Sequence, residues 1–245
     1  MCTRNSQTFE NHLLWKHHFQ TIFIPQINTL VETLCERLLP TFNDTRLEEE
    51  ARLKVEEEWQ KLSSSQAGED IPDMADLAER ASDTGLDYYV MITGLRQGIQ
   101  NMFAVALYHL YEQQAMYFLR NELLPREEQD VAKFLTFCEL RKRMFDFGID
   151  LRSFKCKPTI LELSLLANTV KHADGKSSAD LRVLRPGLFM SPMLERMGFR
   201  QTSSPPPVFT PLMGEDVYVS VDDLRRYADG VIDFWQELSD AISPA

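Results

Sequence analysis

Hydrophobic side chains recur at intervals of three and four residues through most of the 245-residue chain, with polar and charged residues between them. This spacing places the apolar residues on one side of a helix, because an α-helix repeats about every 3.6 residues. The pattern predicts helices over residues 8–39, 44–62, 83–123, 126–147, 158–172 and 221–242. Helices that follow one another through short connections favour an all-α fold, built as an antiparallel helical bundle.

Prolines and glycines divide these segments. Pro25 interrupts the first pattern and predicts either a kink or two separate helices. Pro158 lies in the first turn of its helix, where proline is favoured, and Gly175 is expected to end that helix. We predict an irregular segment over 186–216 and a short strand at the Val-Tyr-Val sequence, 217–219.

The second predicted helix differs from the others in its charge. Residues 44–62 hold few large apolar side chains, but many acid–base pairs lie four residues apart, which supports an exposed helix. The serine- and glycine-containing stretch 63–68 predicts a flexible linker after it. We therefore divide the chain into an N-terminal helical extension, 1–70, and a main helical domain, 71–245.

The charge of the chain is unevenly distributed. A formal net charge of -11 argues against broad, non-specific binding of nucleic acid. Residues 152–200, however, hold nine Lys and Arg against four Asp and Glu, so this segment is +5 and the rest of the chain is -16. The segment is the one broadly basic part of an acidic sequence.

Neither the cysteines nor the histidines have the spacing of a metal site. The four cysteines are scattered and are expected to be reduced thiols. His12, His17 and His18 have no carboxylate or cysteine at matching spacing, so we predict surface or structural roles for them and no metal or cofactor.

The polar N-terminus does not resemble a signal peptide, and no apolar run approaches the roughly 18 residues of a membrane span. We expect a cytoplasmic protein without a membrane partner.

The densest group of chemically versatile side chains lies at the end of the 158–172 helix. Asn168, Lys171 and His172 fall within about one and a half helical turns. One interpretation is metal-independent phosphodiester cleavage, with His172 as general acid or base and the other two holding the phosphate. The other is structural, because Lys and His in a last turn oppose the negative end of the helix dipole. The sequence leaves both open.

Further candidates lie outside this group. Glu112 shares a helix face with Tyr108, four residues earlier, and would orient the catalytic pair if that face meets the 158–172 helix. Arg141 and Arg143 would supply guanidinium groups to a phosphate, or else belong to a solvated helix end. We count all three charged residues as substrate-binding candidates.

The Gly-Lys-Ser sequence at 175–177 does not form a phosphate loop. That motif requires a glycine five residues before Gly175, where this chain has Val170, and no strand precedes it. Lys176 nevertheless remains a substrate-binding candidate.

These residues together resemble the HEPN superfamily of small α-helical domains, which include ribonucleases of toxin, antiphage and RNA-processing systems. The resemblance rests on a long helix with Tyr-His-Leu-Tyr-Glu at 108–112, a second helix, and Asn168 followed by His172 on a later helix. The family motif has an arginine, a polar residue and then a histidine. Here Asn168 matches the polar residue, His172 matches the histidine, and Ala167 replaces the arginine. The likeness covers about residues 85–242.

The resemblance implies a homodimer with two histidine motifs around one cleft, and attack of an RNA 2′-hydroxyl on the adjacent phosphate without a metal. Because the arginine is missing, Lys171, Arg141 or Arg143 would have to replace it, or the domain does not cleave RNA.

Three hypotheses for the function follow. The first is an HEPN-like RNA-binding protein or metal-independent endoribonuclease of a bacterial defence or stress system. The second is a non-catalytic interaction module, a degenerate HEPN-like dimer that scaffolds or neutralises a partner, with the acidic 44–62 helix as a docking surface. The third is a nucleotide-sensing domain.

Overall fold

The computed structural model describes residues 9–64, 73–199 and 206–243 and confirms the all-α class. Every regular element in these ranges is helical. The α-helices are α1 (His12–His18), α2 (Ile24–Glu32), α3 (Asp44–Ser64), α4 (Met74–Phe118), α5 (Phe137–Asp146), α6 (Lys157–His172), α7 (Lys176–Leu184), α8 (Pro192–Arg196) and α9 (Val221–Ile242).

Pro25 divides the first predicted helix, as expected. A π-helical segment, Phe19–Phe23, joins α1 to α2, and Pro25 lies in the first turn of α2. Proline has no N–H to donate to the preceding turn, and the π-helical segment is the wider turn in which this hydrogen bond is missing. A second π-helical segment, Thr33–Leu38, follows α2.

The core brings the N-terminal helices and the C-terminal helix together. Trp235 of α9 is fully buried, and its ring lies 4.8 Å from that of Phe19 and 4.7 Å from that of Phe23. The indole Nε1 of Trp235 donates to the side chain of Gln114 on α4 over 2.9 Å. Two stretches that are about 210 residues apart therefore share one apolar centre.

Helix α3 lies outside this core and packs along the first half of α4. Tyr88 on α4 donates to Glu50 on α3 over 2.9 Å, and Arg96 pairs with Asp44 over 2.7 Å. The predicted linker begins within α3, which ends at Ser64, and residues 65–68 lie outside the described part of the chain.

Helix α4 is longer than expected because it begins at Met74 rather than at residue 83. Asp73 caps its start by accepting a hydrogen bond from the N–H of Ala75 over 2.9 Å. The additional turns bury Leu77 and Ala81, while the residues around them are exposed. Because so few residues of these turns are buried, the hydrophobic pattern of the sequence indicates the helix only weakly there.

The prediction of a helix over 126–147 is wrong in its first half. Only Phe137–Asp146 is α-helical, and the residues before it form turns and a short 3₁₀ segment, Ala132–Phe134. The hydroxyl of Thr136 accepts from the N–H of Glu139 over 3.2 Å, which fixes Thr136 as an N-cap and starts the helix there.

The predicted strand at 217–219 is also wrong. The segment has no regular secondary structure, and its backbone bonds to the side chain of Asn101 rather than to a neighbouring strand. The Nδ2 of Asn101 donates to the carbonyls of Pro211 and Val217 over 2.6 and 2.8 Å, and its Oδ1 accepts from the N–H of Val219 over 3.3 Å.

The same connection lies very close to α4. A Cβ at Gly98 would be 2.0 Å from the carbonyl oxygen of Leu212, and one at Gly214 would be 2.0 Å from the carbonyl oxygen of Gly94. Gly214 also has a φ of +84°, which favours glycine. These glycines allow the backbone of the 211–214 segment to rest on the helix.

Candidate functional site

Helix α6 carries the candidate motif on its outer face. Lys157, Leu161, Ser164, Asn168 and Lys171 fall within an arc of about 80°, since each residue advances about 100° around the axis. All five are exposed or half-buried. The opposite face contains buried residues, among them Leu163, Leu166 and Val170, which are at most 3% exposed. The helix therefore packs through one side and presents the other to solvent.

A polar network holds α6 in place from the buried side. Glu162, whose side chain is 8% exposed, pairs with Arg185 over 3.0 Å and with Arg226, and it accepts from the hydroxyl of Tyr227 over 2.6 Å. Burial and this carboxylate raise the pKa of Tyr227. The two guanidinium groups compensate the buried carboxylate, so the network is structural in character.

The start of α6 is capped by a side chain from α9. The carboxylate of Glu237 accepts from the N–H of Lys155 over 2.9 Å and from the N–H of Cys156 over 3.0 Å. A carboxylate at this position complements the positive end of the helix dipole.

The end of α6 is an unusual corner. Ala173 has φ 60° and ψ -134°, a backbone conformation that residues other than glycine rarely adopt. Asp174 fixes the corner: its N–H donates to the carbonyl of Val208 over 3.0 Å, and its carboxylate accepts from the hydroxyl of Ser178 over 3.0 Å. His172 is the last residue of α6 and directly precedes this corner.

Gly175 begins a new helix, which the sequence analysis did not predict. It is the N-cap of α7, and its N–H donates to the hydroxyl of Ser178 over 2.9 Å. The Gly-Lys-Ser sequence thus forms a helix–helix corner, which agrees with its rejection as a phosphate loop.

The motif side chains at this corner are unpaired. Lys171, His172 and Lys176 are exposed and Asn168 is half-buried. Their side chains form no hydrogen bond or salt bridge with any other residue for which the structure gives a position. Three cationic or ionisable groups thus lie within six residues of this corner and form no ion pair there, while Asp174 between them is engaged by Ser178 and Arg182.

Glu112 lies far from this corner along α6. Ser164 donates to the hydroxyl of Tyr108 over 3.0 Å. Tyr111, which follows Tyr108 on α4, shares a cleft with Cys156, which precedes Ser164 in the chain. Helices α4 and α6 are therefore antiparallel here, and Glu112 is directed toward the start of α6. His172 lies about 12 Å beyond Ser164 along the axis. The structure gives Glu112 a different partner, His109, whose Nδ1 donates to it over 2.7 Å.

The two candidate arginines have different surroundings. Arg143 is paired with Glu139 over 2.5 Å and with Glu128 over 2.6 Å, and its hydrogen bond lowers the pKa of Glu139. Arg141 is exposed and has no ion-pair partner among the residues that are described. It lies beside the first half of α6. The structure therefore separates Arg141 and Glu112 from the motif at the corner.

Arg141 lines a cleft that the sequence analysis missed. The cleft measures about 270 Å³ and lies between α4, α5 and α6. Apolar side chains, including Tyr111, Phe137 and Phe234, form much of its lining. Its members come from five separate stretches of the chain, so no local motif signals it.

Cys156 lies in this cleft but is not set up as a nucleophile. Burial, together with the nearby carboxylate of Glu237, raises the pKa of its thiol to about 12. The thiolate is the reactive form of cysteine, and it is scarcely populated at neutral pH under these conditions.

The described part of the chain is all-α, and Lys157 and Lys171 on the outer face of α6 form no ion pair within it; a small apolar cleft lies beside this face. Comparison with family models, with curated proteins and with solved structures gives no match for it. Within residues 9–64, 73–199 and 206–243, no group of three His, Cys, Asp or Glu side chains is arranged to hold a metal ion. No helix in that part of the chain is long and apolar enough to cross a bilayer.

Proposed function

We propose that this chain is an HEPN-like RNA-binding protein that acts as a metal-independent endoribonuclease, in a bacterial defence or stress system. The observation that carries the proposal is the corner of α6, where Lys171, His172 and Lys176 are exposed without ion-pair partners and Asn168 lies on the same face. A phosphate would neutralise this local charge. The acidic remainder of the chain repels a polyanion, so binding would be confined to this surface.

The chemistry available at the corner is transesterification. His172 removes the proton from an RNA 2′-hydroxyl, and the oxygen attacks the adjacent phosphorus. The bond from phosphorus to the 5′-oxygen breaks, which leaves a 2′,3′-cyclic phosphate and a 5′-hydroxyl that takes up a proton. Lys171 and Asn168 donate hydrogen bonds to the phosphate oxygens, where negative charge develops. Imidazole is the side chain that most often serves as a general base or acid in proton transfer.

The resemblance leads us to propose a homodimer as well. Two copies would place two α6 corners around one cleft, so that a second His172 is available to protonate the leaving 5′-oxygen. Sedimentation analysis of the purified protein measures this directly, and a monomer at micromolar concentration would contradict it.

The test is incubation of the protein in EDTA with total tRNA and a structured mRNA. We expect cleavage that leaves 2′,3′-cyclic phosphate ends, and its loss in His172→Ala. His17→Ala is the matched control, because His17 is an exposed histidine on α1, away from α6. Lys171→Ala should weaken RNA binding as well as cleavage. Cleavage that persists unchanged in both α6 variants would contradict the site.

A second function, the non-catalytic interaction module, is favoured by the arm that α3 forms with the first half of α4. Leu86, Val90 and Met91 on this arm are each about 60% exposed. Most acids of α3 are already paired within the helix, as in the contact of Arg52 with Glu49 over 2.7 Å. We therefore propose that a protein partner contacts the apolar residues Leu86, Val90 and Met91 at least as extensively as the acidic face of α3. Stabilisation by a partner that is lost in Val90→Asp, with no nuclease activity, would favour this function.

A further inference from the structure

The cleft between α4, α5 and α6 combines an apolar interior with a cationic edge. Phe137 and Ile160 are half-buried lining residues, and the hydroxyls of Tyr108 and Ser164 meet over 3.0 Å at the cleft wall. Pockets for small molecules share this design, with mostly apolar walls and a few polar groups that orient the ligand. The volume of about 270 Å³ is small, and it suits one ring system rather than a large ligand.

The charge at the edge is positive. Arg141 and Lys157 line the cleft and form no salt bridge with any residue in the described ranges. Arg152 also lines it, but its guanidinium is held by Asp150 over 2.9 and 3.0 Å. The acids that interact with lining residues are Asp150, which holds Arg152 and also attracts Lys157, and the pair Asp233 and Glu237 beside Cys156. Glu112 is engaged by His109. Two cations therefore remain available for an anionic ligand.

The cleft continues into the outer face of α6. Lys157 and Ser164 line it, and Asn168 and Lys171 follow on the same side of the helix. Lys157 and Lys171 are separated by about 21 Å along the axis, which is a span of several nucleotides. A strand that has one phosphate at the corner would therefore pass the cleft.

We propose that the cleft binds one nucleotide unit, with the planar base among the apolar side chains and the phosphate on Arg141 and Lys157. The hydroxyls of Tyr108 and Ser164 supply the hydrogen bonds to the base edge. Stacking and apolar contact bind bases without strict sequence preference, and Arg holds phosphate through paired N–H donors. This inference rests on the proposed RNA-binding function for the identity of the strand, but the cleft can be tested separately.

The experiment measures binding of adenosine and uridine monophosphates to the full chain by calorimetry, with adenosine and inorganic phosphate as partial ligands. We expect the nucleotides to bind more tightly than either part. Arg141→Ala should weaken them at least tenfold, whereas Arg141→Lys should retain part of the affinity. Arg80→Ala is the control, because Arg80 is an exposed arginine on the α3–α4 arm. Ser164→Leu, which fills the cleft, should also remove binding, with thermal unfolding as a check on its fold.

A parallel titration with a single-stranded RNA oligomer separates this inference from the proposed function. If RNA does not bind but nucleotides bind in an Arg141-dependent way, the RNA function fails and the cleft stands. If RNA binds through Lys171 while Arg141→Ala leaves nucleotide binding unchanged, or no nucleotide binds at all, the cleft inference is overturned.

Discussion

Asn101 offers the sharpest test of how this fold is held together. It is fully buried, and it replaces a missing strand by pairing with the backbone of Pro211, Val217 and Val219. In Asn101→Ala, two carbonyls and one backbone N–H lose this partner, and the side-chain amide of Gln97 keeps only the carbonyl of Val219. Each buried polar group left unpaired costs about 1–3 kcal/mol. Water entry should recover part of this, so we expect the free energy of unfolding to fall by about 3–5 kcal/mol.

Asn101→Asp gives the same site a pH dependence. A carboxylate there would face the two carbonyl oxygens, so burial and repulsion should raise the pKa of the new carboxyl in the folded state above its unfolded value of about 3.9. The folded chain then binds more protons than the unfolded chain, and stability falls as pH rises. The loss should approach about 1.4 kcal/mol per pH unit until the folded pKa is passed.

Urea unfolding followed by circular dichroism between pH 4.5 and 7.5 measures both variants against wild type. The penalty of Asn101→Ala should be nearly constant across this range, and that of Asn101→Asp should grow. Asn121→Ala is the control, because the Asn121 side chain is exposed and bonds only to the carbonyl of Tyr117. The reasoning would be refuted by a cost below about 1 kcal/mol for Asn101→Ala, or by parallel pH profiles for the two variants.

Two other predictions concern the close backbone contact and the cysteines. Gly98→Ala should destabilise the protein by about 1–2 kcal/mol in urea unfolding, because overpacking exceeds the helix-propensity gain of alanine. Gly187→Ala, where a Cβ would meet nothing within 4 Å, should be neutral, and equal effects at the two sites would contradict the contact. In titration with a disulfide reagent at pH 8, Cys138→Ala should remove one fast-reacting thiol, whereas Cys156→Ala should remove none, since burial raises the pKa of that thiol to about 12.

The helices that were predicted well are those in which local signals agree. Helix α6 begins with Pro158 in its first turn, and α9 begins where the hydroxyl of Ser220 caps the N–H of Asp223 over 3.0 Å. Both have apolar residues at helical spacing over their whole length. The start of α4 was missed because the buried residues of its first turns, Leu77 and Ala81, lie outside the main core, so few residues there needed to be apolar.

The wrong strand and the missed cleft share a physical origin in contacts between distant parts of the chain. Val217 and Val219 have the composition of a strand and are both buried, but their backbone partner is Asn101, more than 100 residues away. The cleft likewise depends on α4, α5 and α6 meeting, which no local pattern encodes. By contrast, Asn168, Lys171 and His172 were recognisable because their chemistry is concentrated within one stretch of helix.

The surroundings of α6 bear on the two interpretations that the sequence left open for these motif residues. Glu237 caps the start of the helix, Glu162 holds its buried face, and Asp174 fixes the corner, so the position of α6 does not depend on Lys171 or His172. If they served only the helix dipole, their contribution would be about 0.3–1 kcal/mol of stability. Their removal would then leave any RNA binding intact. Loss of RNA binding with little change in stability would instead assign them to a ligand, because a rigid helix that is held from its buried side has no structural need for unpaired cations on its outer face.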